Sequence, residues 1–68
     1  MLGTIRVAVV DDHALFVSGL ELLLPEVSEG RAIVAGTTGD AAAAAGMVRR
    51  TVPDLVLVEK FDWFYAFN

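Results

Sequence analysis

The sequence predicts an α/β fold of order βαβαβ. Three observations carry this. Three short aliphatic runs, IRVAVV over Ile5–Val10, RAIVAG over 31–36 and LVLV over Leu55–Val58, are spaced along the 68 residues. Between them lie two stretches of helical composition. Strands alternating with helices form parallel sheets joined by right-handed crossovers. The first strand is expected at the centre, giving a sheet order of 2-1-3.

The first strand is β-branched and ends on Asp11-Asp12. Asp12 is placed to cap the helix that follows. In that helix Phe16, Leu20, Leu23 and Leu24 fall on one stripe at helical period. Gly19 weakens it, and Pro25 is expected to end it. The second strand follows a turn over 27–30. Residues 37–40 read as a loop, with Asp40 as the next cap. Five consecutive alanines and then Arg49-Arg50 make 41–51 a second helix, its arginines suited to the negative end of the helix dipole. Pro53 closes it. The third strand, 54–59, has an unbroken apolar centre, the pattern of a strand buried on both faces.

Hydrophobic residues make up 56% of the chain. A domain of this length hides only about 60% of its extended surface. A partner, a second copy or further chain is therefore implied. The formal net charge of −4 disfavours nucleic acid and anionic membrane as partners. The absence of cysteine excludes disulfides and thiolate metal sites. No apolar stretch approaches the ~20 residues of a membrane span, and MLGTIRV lacks the apolar core of a signal peptide. A cytoplasmic protein is expected.

Adjacent carboxylates at a strand end repel, and a hard cation such as Mg²⁺ relieves that repulsion. In open α/β sheets ligands bind beyond the carboxyl ends of the strands, where the winding reverses. Asp11, Asp12 and Glu59 would meet there. The other reading of the pair is a helix cap and a solvated charge. His13 reads as a first-turn helix residue rather than a ligand. Gly36-Thr37-Thr38-Gly39 lacks the spacing of a phosphate-binding loop.

The stretch IRVAVVDDHALFVSGLELLL, with PDLVLVE further on, resembles the N-terminal half of a response-regulator receiver domain, of the subfamily that carries a LuxR-type helix-turn-helix. The resemblance covers about residues 4–59. It implies half of a flavodoxin-like fold, with Asp11 and Asp12 as Mg²⁺ ligands. It also implies a phosphoacceptor position at Glu59 and a metal-binding backbone carbonyl at Phe61. The chain departs from the family at three points. Glu59 stands where the family has aspartate. KFDWFYAF replaces the usual loop after the third strand, and strands four and five do not follow. A longer carboxylate displaces the attacking oxygen by about a bond length, and in-line transfer is sensitive to ~1 Å. The expectation is thus a truncated, non-enzymatic receiver-like module of two-component signalling that acts through association. Two alternatives are an Mg²⁺-dependent phosphoacceptor competent as a dimer, and a structural fragment without signalling activity. A histidine kinase or another response regulator is the further partner implied.

The chain divides into residues 1–60, receiver-like, and 61–68, a tail that holds five of the six aromatics. Phe61, Trp63, Tyr65 and Phe67 alternate at strand period. The tail is expected either to extend the third strand and complete the sheet in a homodimer, or to be a non-native product of truncation. The dimer would join two copies through Leu55, Leu57, Phe61, Trp63, Tyr65 and Phe67.

Overall fold

A computed structural model describes residues 3–58 of the chain. The elements are β1 (Ile5–Val10), α1 (Ala14–Val27), β2 (Ala32–Thr38), a 3-10 turn (Ala41–Ala43), α2 (Ala44–Thr51) and β3 (Leu55–Val58). All strand pairs are parallel and the sheet order is β2-β1-β3. This is the α/β half of a flavodoxin-like fold that the sequence predicts. The first crossover runs from β1 out to β2 and the second from β2 back across β1 to β3, so their shared right-handedness puts α1 and α2 on opposite faces of the sheet.

Four features differ from the sequence reading. Pro25 lies inside α1 rather than ending it. Proline lacks the N–H that an interior helical position donates. Here the loss falls in the last turn, and the helix continues to Val27. The exit is then locked by two bonds: Ser28 N donates to Leu24 O (3.1 Å) and Gly30 N to Pro25 O (2.8 Å). Gly30 at φ 80° takes the left-handed conformation that this exit requires.

The second strand runs on through Thr37 and Thr38, where a loop was expected. These residues pair with Val9 and Val10, so the ladder overrides their polar character. The register shifts between Val7 and Ala8: Val34 faces Val7, Gly36 faces Ala8, and Ala35 bulges between them.

The alanine run also divides. Its first three residues form the 3-10 turn, and Asp40 Oδ1 accepts from Ala42 N at 2.9 Å, the cap the sequence predicts. α2 then ends on Val52 at φ 47°, ψ 61°, a left-handed position unusual for a β-branched residue.

The fourth difference is burial. Among the described residues the core consists of Val7, Ala8 and Val9 of β1 with Met47 of α2. α2 sits tightly on the sheet because Gly36 has no side chain: a Cβ there would lie 2.7 Å from Thr51 Cγ2 and 3.0 Å from Met47 Sδ. β3, expected to be buried on both faces, is exposed along its whole length. Its apolar pattern is correct for a strand, but α1 packs on β2, and α2 on β2 and β1.

The amino-terminal ends of the strands are tied by Arg6 and Asp54. Arg6 N donates to Asp54 Oδ2 at 2.8 Å, and Asp54 N donates to Arg6 O at 2.7 Å. The Arg6 guanidinium donates to Thr51 O at 2.7 Å, satisfying a carbonyl that the end of α2 leaves open.

Candidate acidic site at the end of the central strand

Asp11, Asp12 and His13 connect β1 to α1 at the carboxyl end of the sheet. Asp11 remains in the ladder through its backbone, its N–H donating to Thr38 O at 2.9 Å. This holds its side chain inward, with 7% of it exposed, whereas the side chain of Asp12 is 62% exposed. The two aspartates are therefore unequal. A buried carboxylate needs hydrogen bonds to offset its lost hydration. Asp11 Oδ1 finds two in His13: the backbone N–H at 2.7 Å and ring Nδ1 at 2.6 Å. An ionised carboxylate only accepts, so Nδ1 carries the proton in that contact.

Asp11 is thus the residue that steadies the start of the helix, and Asp12 is not. The N-cap position falls to His13, whose side chain makes no capping bond. The cause is geometric. Asp12 has already turned toward solvent, while the buried Asp11 faces the amide two residues on.

The structure brings His13 into the acidic group that sequence reasoning left it out of. Nδ1 lies 3.5 Å from Asp12 Oδ1. One ligand atom from each of Asp11, Asp12 and His13 falls within a 4.8 Å span, so the three form a group that could hold a metal ion. The contiguous Asp-Asp-His tripeptide was the available signal.

Two hollows flank Asp11. A shallow one is lined by Asp11, Asp12, Ala14, Ser18, Thr38 and Gly39 among others. The chain passes close there, since a Cβ on Gly39 would lie 3.3 Å from Asp12 Cα. The larger, an open groove of ≈ 650 Å³, lies between the start of α1 and the end of β3. Val9, Asp11, His13, Leu15, Phe16, Leu57 and Val58 line it. Among the described residues, its walls apart from Asp11 and His13 are aliphatic or aromatic.

Leu55 and Leu57, expected at an interface, are 50% and 40% exposed. Glu59, Phe61, Trp63, Tyr65 and Phe67 lie outside the described residues, as do the tail 61–68 and the end of the segment 1–60. Among the described residues no helix is long and apolar enough to cross a membrane. Compared with models of known protein families, with curated proteins and with solved structures, the chain finds no match.

Proposed function

We propose that this chain is a receiver-like regulatory unit of two-component signalling, working through protein association, with Mg²⁺ held at Asp11 and Asp12. One observation carries the reading: the buried carboxylate of Asp11 and the end of β3 meet in one groove at the carboxyl edge of the sheet. That edge is where open α/β sheets bind their ligands. A phosphoacceptor position is expected one residue past Val58, and Glu59 occupies it. A glutamate there carries negative charge permanently, whereas a phosphoryl group would add about −1.5 to −2 on modification. The reading is therefore of a unit that associates without being switched in the ordinary way, and a histidine kinase or another response regulator is the partner class it implies.

Mg²⁺ prefers one or two carboxylates and keeps several waters. Asp12, largely exposed, offers an oxygen without further desolvation, and Asp11 offers one already fixed. A cation between them competes with the Nδ1 proton of His13, which now lies against both aspartates.

The test has two parts. Mg²⁺ should raise the melting temperature of the wild type and not of Asp12→Asn. At a hundredfold excess over Kd the stabilisation is about 2.7 kcal/mol. No shift in either protein would reduce Asp11-Asp12 to a helix-start device. Incubation with Mg²⁺ and acetyl phosphate should leave the intact mass unchanged. A gain of one phosphoryl group would instead establish a working phosphoacceptor.

A further inference from the structure

The groove beside Asp11 has apolar walls on three elements: Val9 of β1, Leu15 and Phe16 of α1, and Leu57 and Val58 of β3. Phe16 is 54% exposed and Leu15 90% exposed. Large apolar side chains gathered around one concavity mark a surface that takes a partner.

The chain itself contains a segment of matching chemistry. Ten residues follow Val58, and 61–67 hold five aromatics. Four of these recur at period two, so an extended segment would present them on one face. Trp63 and Tyr65 each carry an N–H or O–H that needs a partner when buried. The groove supplies the carboxylate of Asp11 at its polar end.

Sequence also decides which copy of the segment is suited to which groove. Val58 is itself a wall of the groove. For the tail to enter the groove of its own chain, it would have to reverse within Glu59-Lys60. Neither Glu59 nor Lys60 is a usual turn residue, and the first one after Val58 is Asp62, inside the aromatic segment itself. Ten extended residues reach about 33 Å, enough to cross to a neighbouring molecule. Two-fold symmetry makes such an exchange reciprocal and closed.

We propose that the groove between the first turn of α1 and the end of β3 takes the aromatic segment 61–67 of a second copy of this chain, exchanged across a two-fold axis. The inference rests on the association reading and names its partner. Two grooves are filled per dimer, and the groove next to the acidic pair is closed by the other copy's tail.

Trp63 is the only tryptophan, so its fluorescence reports the docking directly. The full chain should sediment as a dimer at micromolar concentration. Its emission should lie at shorter wavelength than that of the unfolded chain and resist quenching by acrylamide. Phe16→Glu puts a charge in the groove at an exposed helix position. It should weaken dimerisation at least tenfold and move Trp63 emission to longer wavelength. Leu15→Glu, at a still more exposed position, provides the same readout if Phe16→Glu does not fold. Mixing Phe16→Glu with Trp63→Ala should restore the short-wavelength emission. In the mixed dimer the intact tail of the first chain meets the intact groove of the second. A monomer at these concentrations would overturn both the exchange and the association reading. A dimer whose emission ignores both groove variants would overturn the exchange alone. Emission that shifts with Phe16→Glu but stays unrestored on mixing would overturn it too, by placing the tail on its own chain.

Discussion

β1 and β3 are both short aliphatic strands that lie side by side and pair in parallel, yet they live in different environments. In β1, Val7, Ala8 and Val9 are 3%, 0% and 1% exposed. In β3, Leu55, Val56, Leu57 and Val58 are 50%, 38%, 40% and 43% exposed. Hydropathy does not account for this, because the more exposed strand, LVLV, is the more uniformly apolar of the two. The difference is one of neighbours. β1 has a strand on each side, and α2 packs against it. β3 has one strand beside it, and both helices are centred elsewhere. An apolar run therefore specifies a strand that can be buried, and its surroundings decide whether it is.

Matched substitutions measure that difference most directly. Val9→Thr replaces a methyl by a hydroxyl of similar shape at a fully enclosed position. A buried hydroxyl without a partner costs about 1–3 kcal/mol. Val56→Thr makes the same change in β3 and should alter stability by no more than about 0.5 kcal/mol. Urea unfolding followed by circular dichroism gives both values. Equal losses would show that β3 is covered in solution as thoroughly as β1.

The next largest effect concerns how α2 reaches the central strand. Gly36→Ala places a methyl against Thr51 Cγ2 and Met47 Sδ, a clash expected to cost about 1–2 kcal/mol. The methionine can move, but the β-branched threonine cannot rotate freely. Thr51→Ser in the same chain removes the offending methyl and keeps the hydroxyl that donates to Met47 O. The double variant should recover most of the loss, and a double-mutant cycle would read the coupling. Simple additivity would mean that the helix position is not set by this contact.

The smallest effect has the opposite sign. Val52 adopts the left-handed conformation at the end of α2, where a non-glycine residue pays roughly 1–2 kcal/mol. Val52→Gly relieves this strain but gives the unfolded chain more freedom, so the net gain is up to about 1 kcal/mol. A thermal melt that moves upward supports the assignment. A downward shift would mean that the exposed valine contributes packing on the route from α2 to β3.

Much of the fold was legible because its signals are local. Three aliphatic runs, two helical stretches and the crossover rule suffice for the order β2-β1-β3. Asp40 was readable as a cap because its side chain reaches an amide only two residues away. Pro25 looked like a stop, but its missing N–H falls where α1 is already ending. The other errors have the opposite property. Thr37 and Thr38 looked like loop, but a ladder with β1 extends through them. Asp12 looked like the helix cap, but the backbone bond from Asp11 to Thr38 turns Asp11 inward and leaves Asp12 in solvent. Both of these outcomes depend on a residue distant in sequence.

The acidic site divides along the same line. That two carboxylates would stand at the end of the central strand followed from the strand's last residue. That one would be buried and the other exposed, and that His13 would lie against both, followed from the backbone bond that keeps Asp11 in the ladder with Thr38.

The types and order of the elements, their parallel arrangement, the acidic pair at the strand end and the surplus of apolar surface follow from composition, period and capping chemistry within a few residues. The bulge at Ala35, the tight seat of α2 over Gly36, the inequality of Asp11 and Asp12, and the exposure of β3 beside its groove come from the packed fold. Register, burial and close approach are properties of residues brought together from separate parts of the chain, and no local pattern contains them.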